Sequence, residues 1–241
     1  MDITAPIRSQ VVARTGISLA KGIEPRAFPR FALDALLHPR WMLEFAVRGG
    51  QPMLESWAPH APEGSTPAQV ARFFSVSSFA GQTWQDLETL RKAWPGNLVV
   101  KGLVRAEDAE RAIEFGADAV TISNHGANKL DNMSAAIDSL MDVKSRLRSD
   151  CLVFFDGGIR RGSDILAAYA SGAAFCFTGR AFLYGVAAGG RRGVEKAYPI
   201  LQDELLYAMA MSGCHTPAAA TADLLLHNDR PCSRSTALDH E

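Results

Sequence analysis

The sequence is short of the features that mark several large functional classes. It has no apolar run approaching the ~18–20 residues that cross a bilayer. Its first residues lack the charged-then-apolar layout of a secretory signal, so a cytoplasmic protein is expected. Charge of one sign is missing too: 25 basic and 26 acidic residues are interspersed for a formal net charge of −1. That balance leaves no electrostatic footprint for nucleic acid. Cysteine is sparse. Cys151, Cys176, Cys214 and Cys232 are widely separated, with no CxxC pair, which argues against a disulfide framework or a metal site. Cys151 and Cys176 lie in or beside apolar stretches, where a free thiol behaves as a small buried hydrophobe in a reducing compartment.

What the chain does have is enough apolar content, 47%, to bury a full core. Residues 1–80 are expected to form an N-terminal arm, a helix over 31–48 and a long irregular connection rich in Gly, Pro and Ser over 49–80. The helical stretch ends in His38-Pro-Arg-Trp-Met-Leu-Glu-Phe-Ala-Val-Arg48, which mixes bulky apolar and basic residues. It suits an amphipathic helix packed on its own domain, or one lying on a membrane surface.

From Thr83 the texture changes. Thr83 is a good cap for a helix through Trp84, Leu87, Leu90, Arg91 and Trp94, stopped by Pro95-Gly96. Short apolar strands then alternate with helices: a strand at 98–102, a helix at 106–115, a strand at 117–123 and a helix at 134–147. A strand at 152–158, a helix from Ser163 to Gly172, a strand at 174–180 and helices at about 181–188 and 193–212 complete the series. Residues 215–241 read as a tail. This alternation implies a parallel sheet with right-handed crossovers. Chemistry-bearing residues sit at every carboxyl strand end, as in a (β/α)8 TIM-barrel type fold. A doubly wound sheet is the competitor, but its glycine-rich phosphate loop would normally follow the first strand. The expected fold is therefore α/β, the C-terminal four βα units of such a barrel over residues 81–214, with an irregular N-terminal extension.

Two consecutive strand ends carry Asp156-Gly-Gly-Ile-Arg-Arg-Gly162 and Thr178-Gly-Arg180. Glycines allow close backbone approach to an anion, and Arg160 and Arg180 add bidentate charge, so a phosphate site is expected there. Taken singly, either segment could be a glycine-rich turn with a solvated arginine. Lys101 ends its strand as either a Schiff-base nucleophile or, preferably, a fixed charge. Ser123 is a candidate hydrogen-bond donor at the same mouth. His125, between Asn124 and Gly126, is the candidate catalytic base, because imidazole exchanges protons near neutrality. Asp131 could orient the site or cap the next segment.

These motifs, with Ser123-Asn-His-Gly126, Leu130-Asp131 and Gly179-Arg-Ala-Phe-Leu-Tyr-Gly185, resemble the FMN-dependent α-hydroxy-acid dehydrogenase/oxidase family, the lactate and mandelate dehydrogenases among them. The resemblance runs continuously over about residues 83–214. It implies FMN as cofactor, with Lys101 beside the flavin N1/C2 carbonyl and Ser123 as a flavin contact. It further implies Asp156, Gly157, Gly158, Arg160, Gly179 and Arg180 as phosphate contacts, and His125 as the base that acts on a small 2-hydroxy acid. His38-Pro-Arg-Trp41 is similar to the family connection that carries the membrane contact in membrane-associated members, so a peripheral membrane contact is also implied.

Two departures stand out. The family usually reads His-Gly-Gly-Arg-Gln-Leu-Asp, and its arginine grips the substrate carboxylate. Here Asn128 occupies that substrate position, followed by Lys129. A neutral amide does not replace a charged fork, and a peptide-modifying relative also carries Asn there. Met1-Asp2 falls where family members finish strand four, and the other carboxylate-binding arginine falls near Arg8 and Ser9. Weak flavin binding by the chain alone, and completion by a complementary N-terminal half or a homo-oligomer, are the corresponding expectations.

Overall fold

The computed structural model describes residues 1–3, 14–18, 22–47, 50–77, 81–128, 132 and 134–225. A two-residue antiparallel hairpin, β1 (Ile17–Ser18) and β2 (Gly22–Ile23), leads into helices α1 (Phe28–Leu37) and α2 (Pro39–Val47). The single helix expected over 31–48 is thus two. Pro39 drives its predecessor out of the helical region, and His38 sits at φ −126°, ψ 59°.

The connection read as irregular over 49–80 contains a helix, α3 (Pro67–Ser77). The overlooked signal is its start. The Thr66 amide donates to Gln69 Oε1 at 2.8 Å, and the Gln69 amide returns to Thr66 Oγ1 at 3.4 Å. Pro67 occupies the first turn, where no amide partner is needed. Trp57 packs edge-on against Phe74 at 4.9 Å and Phe73 at 6.2 Å, so an aromatic cluster, rather than a structureless loop, holds this region.

The repeat that follows matches the sequence expectation closely. Helix α4 (Trp84–Ala93) opens on a reciprocal cap between Thr83 and Asp86. Then come β3 (Val99–Leu103), α5 (Ala106–Glu114), β4 (Ala119–Ser123), α6 (Ala136–Arg146), β5 (Leu152–Asp156), α7 (Gly162–Ala170) and β6 (Phe175–Phe177). The helical stretch α8 (Arg180–Ser212) is interrupted at Gly189 and Gly190, near the break expected between two helices. The four longer strands pair parallel in the order β3-β4-β5-β6, with helices on one face.

The period-two pattern assigns the faces, with a register shift between Lys101 and Leu103 that returns Leu103 to the face of Val100. Val100, Leu103, Val120, Ile122, Val153 and Phe155 point to the helices and are almost fully buried against Leu87, Ala109, Leu140 and Val143. At roughly 25 cal/mol per Å² of apolar surface, these are the residues that hold the sheet to its helices. On the other face Phe154, Phe175 and Phe177 cluster with ring centroids 5.1–6.3 Å apart, and Phe175 and Phe177 remain about half exposed. Met1–Ile3 extends the sheet beyond β3: Asp2 bridges Lys101 in parallel, with the Lys101 amide donating to Met1 O and the Ile3 amide to Lys101 O.

The carboxyl end of the sheet is anchored from outside. Gly162 touches α8 so closely that a Cβ there would lie 2.0 Å from the Leu205 backbone nitrogen. Its own amide donates to Glu204 Oε2 at 2.9 Å. Only glycine permits that approach, which fixes the loop after β5 against α8. The α7 start corrects one detail. Ser163 is not the cap; instead the Asp164 carboxylate accepts the Arg160 and Arg161 amides, both at 2.9 Å.

Candidate functional site

Three neighbouring strands deliver Lys101, Ser123 and Asp156 to one point. The parallel register sets Lys101 opposite Thr121, and Ser123 opposite Asp156. Asp156 Oδ2 accepts from Lys101 Nζ at 2.9 Å and from Ser123 Oγ at 3.0 Å. Ser123 is fully buried, and its oxygen also accepts the His125 amide at 3.1 Å. Ser123, the serine expected as a flavin contact, ties β4 to β5 and meets the His125 amide at the mouth of the sheet. The Lys101 ammonium is ion-paired, as a fixed charge requires.

Past Ser123 the chain turns sharply. His125, Gly126 and Ala127 all adopt positive φ, at 52°, 63° and 58°. Two of them carry a side chain, a conformation that costs roughly 1–3 kcal/mol each and clusters at functional sites. The turn is closed by the Ala127 amide on Asn124 O and the Asn128 amide on His125 O. Asn124 Nδ2 ties it to Ser134 O at 3.2 Å. Gly126 also lies under the Arg180 side chain: a Cβ would sit 2.5 Å from a terminal guanidinium nitrogen, which would have to shift.

The turn carries His125 back over the sheet. Its Nε2 lies 2.8 Å from Asp2 Oδ1 and 3.3 Å from Lys101 Nζ. Asp2 escaped the sequence reading. It stands 123 positions from His125 in the chain, and only the parallel bridge to Lys101 brings its carboxylate to the imidazole. The one available signal was its place at the point where the family resemblance ends strand four.

Beside this cluster opens a cleft of about 510 Å³, lined by His125, Asn128, Gly157, Gly158, Arg160, Gly179 and Arg180 among others. That size suits a small ligand. A Cβ added at Gly158 or Gly179 would meet nothing, so both glycines border open space. Among the described residues neither the Arg160 nor the Arg180 side chain forms an ion pair. Two unpaired guanidinium groups facing a backbone without side chains form a site suited to a phosphate-sized dianion. The residues present fit the phosphate end of FMN. Asp156, expected in the phosphate set, also lines this cleft, and its carboxylate accepts from Lys101 and Ser123. Asn128 brings a neutral amide to the cleft wall. Lys129, Leu130, Asp131, Arg8 and Ser9 lie outside the described residues.

Comparison with known proteins follows the same lines. The FMN-dependent dehydrogenase family model matches residues 1–227. The (S)-mandelate dehydrogenase of Pseudomonas putida is 37% identical over 211 residues, covering 88% of this chain and 52% of that protein. The L-lactate oxidase of Nostoc is 43% identical over 156 residues, 65% of this chain and 42% of the relative. Among solved structures, the monotopic membrane protein (S)-mandelate dehydrogenase superposes with a TM-score of 0.78 at 35% identity, covering 90% of this chain and 55% of that one. The chain thus spans about half the length of the curated relatives it matches. Its four parallel strands and their helices have the TIM-barrel architecture of these neighbours, and the chain belongs to the FMN-dependent dehydrogenase family.

Proposed function

We propose that this chain carries the phosphate clamp and the proton-accepting side of an FMN-dependent enzyme that oxidises a small 2-hydroxy acid to the 2-oxo acid. The observation that carries the reading is the juxtaposition of His125, Asp2 and Lys101 beside the cleft walled by Arg160 and Arg180. FMN, when bound, supplies a two-electron acceptor. Its phosphate would be held by Arg160 and Arg180 against the open backbone of Gly157, Gly158 and Gly179, and Lys101 would place positive charge near the ring system.

The protein's own part is proton management. With the proton on Nε2, His125 donates to Asp2 and leaves Nδ1 as the acceptor for a substrate proton. The Asp2 carboxylate then stabilises the imidazolium that results. Asp156 and Asp2 pair with Lys101, whose ammonium places a fixed positive charge 3.3 Å from His125 Nε2. The substrate carboxylate would meet the Asn128 amide, a neutral partner. That favours either a second charged anchor or a substrate whose acid is masked, such as a peptide-type one.

Two further features belong to the reading. The half-exposed Phe175 and Phe177 and the open edge of β6 favour completion of the sheet by further βα units, from a complementary segment or a second copy. No helix among the described residues is long and apolar enough to cross a membrane. The exposed apolar side chains of α1 and α2 nonetheless suit peripheral contact with one.

The test is flavin binding followed by turnover. FMN titration of the chain, with a complementary half added if required, should show binding that Arg160→Ala and Arg180→Ala each weaken. His125→Ala should spare binding but abolish 2-hydroxy-acid oxidation. An unchanged rate in that variant would remove His125 from the mechanism.

A further inference from the structure

A second cleft, distant in sequence from the flavin site, is walled by side chains of both charge signs. The turn at Gly16 builds it. Gly16 adopts φ +71°, and a Cβ there would lie 2.8 Å from Ala27 Cβ, so the backbone closes directly on the residue that precedes α1. The Glu24 amide donates to Gly16 O at 2.8 Å, and the β1–β2 hairpin returns the chain. Arg14 is thereby brought to the start of α1, beside a cleft of about 440 Å³ lined by Arg14, Arg26, Arg30, Phe31 and Asp34 among others. That volume lies in the range of small-molecule sites.

The charges of this cleft are only partly matched from within. Arg26 is engaged, its Nε donating to Glu24 Oε2 at 2.9 Å. Arg14, Arg30 and Asp34 form no ion pair among the described residues. For Arg30 and Asp34 this is a departure, because they stand four apart on one helix. Arg40–Glu44 and Arg191–Glu195 have the same order and spacing, and they close at 3.2 and 2.7 Å. Asp34 is engaged through its backbone instead, its carbonyl oxygen lying 2.8 Å from His38 Nδ1. The cleft thus presents two guanidinium groups and one carboxylate that the fold leaves uncommitted, with the half-buried Phe31 in the same wall.

A simple anion would suit the arginines but be repelled by Asp34, and a simple cation the reverse. A small ligand that carries both charges on one carbon satisfies all three groups. We propose that this cleft binds a free α-amino acid. Arg14 and Arg30 take the carboxylate, which the planar guanidinium fork matches. Asp34 takes the ammonium, and Phe31 gives an apolar wall to the side chain. Because the cleft is open to water, added salt weakens the binding.

Equilibrium dialysis of the full chain tests this with four probes: L-phenylalanine, 3-phenylpropionate, phenethylamine and inorganic phosphate. L-Phenylalanine should bind on the order of tenfold or more tightly than each of the others, because every one of them lacks a charged contact. Asp34→Asn should reduce L-phenylalanine to the level of 3-phenylpropionate. Arg14→Gln/Arg30→Gln should reduce it to the level of phenethylamine. Circular dichroism should show both variants folded, since all three side chains are exposed. Binding of 3-phenylpropionate or phosphate as tight as that of L-phenylalanine would overturn the proposal in favour of an anion site. Equally tight phenethylamine would overturn it in favour of a cation site. L-Phenylalanine binding that survives both variants would place the ligand elsewhere, and failure of L-phenylalanine to bind would overturn the proposal outright. None of these readouts requires flavin or turnover, so failure here is distinguishable from failure of the flavin-site reading.

Discussion

Two glycines at the carboxyl edge of the sheet separate the cost of backbone conformation from the cost of contact. Gly102 (φ +107°) and Gly158 (φ +78°) both adopt conformations an L-residue resists. A Cβ on Gly158 would meet nothing, whereas one on Gly102 would lie 2.9 Å from Ile3 Cγ1 and 3.0 Å from His125 Cε1. Alanine at Gly158 should therefore cost only the left-handed conformation, about 1–2 kcal/mol. Alanine at Gly102 should cost that plus displacement of the imidazole from Asp2, about 2–4 kcal/mol together. For a chain of this size each kcal/mol moves Tm by roughly 2–4 °C. Gly158→Ala should thus lower Tm by about 3–6 °C and Gly102→Ala by about 6–12 °C, read by circular dichroism. The functional signs invert. Gly158→Ala should weaken FMN binding by filling the open cleft, while Gly102→Ala should spare binding and reduce turnover through His125. Equal destabilisation by the two variants, or a larger effect at Gly158, would refute the contact argument.

Asp156→Asn removes the charge that pairs Lys101 and should cost about 1.5–3 kcal/mol, since among the described residues Asp2 at 3.7 Å is then its remaining ion-pair partner; a urea midpoint unchanged from wild type would contradict the pairing. The Leu98 amide and Arg91 hold the Asp118 carboxyl below its ordinary value of 3.8, as the Thr83 cap does for Asp86. A depressed carboxyl contributes stability that is present above its unfolded value and is lost as pH falls through the folded one. Denaturant midpoints of wild type should therefore drop more steeply than those of Asp118→Asn on acidification below about pH 4; parallel curves would count against it. Burial pushes the Cys176 thiol up to about 12, so it should resist iodoacetamide in the native protein at mildly alkaline pH and react once unfolded. Mass-spectrometric labelling decides it, and rapid native labelling of Cys176 would show the strand to be open.

The repeat after Thr83 was legible because its signals are local. Period-two apolar runs, a Thr-x-x-Asp cap and glycines at strand ends act within a few residues, and the chain folds there as they indicate. In the region before it, composition and local chemistry point different ways, and the chain follows local chemistry. A count of Gly, Pro and Ser hid the Thr66–Gln69 cap, and a run of apolar residues hid the break Pro39 imposes on His38.

The site divides in the same way. Residue identities were readable, so Lys101, His125, Arg160 and Arg180 could be named from strand-end position alone. Their partners were not readable, because pairing is set by sheet register. Parallel alignment of β4 with β5 puts Ser123 under Asp156, and the bridge of Met1–Ile3 to β3 brings Asp2 to His125 across 123 positions. By itself the sequence determined the βα repeat and the family, and it named residues that line the main cleft. Only the tertiary structure decided that Ser123 meets Asp156 and that His125 leans on Asp2. Hydrophobic periodicity is written along the chain, whereas hydrogen-bond partners are chosen by which backbones come to lie side by side.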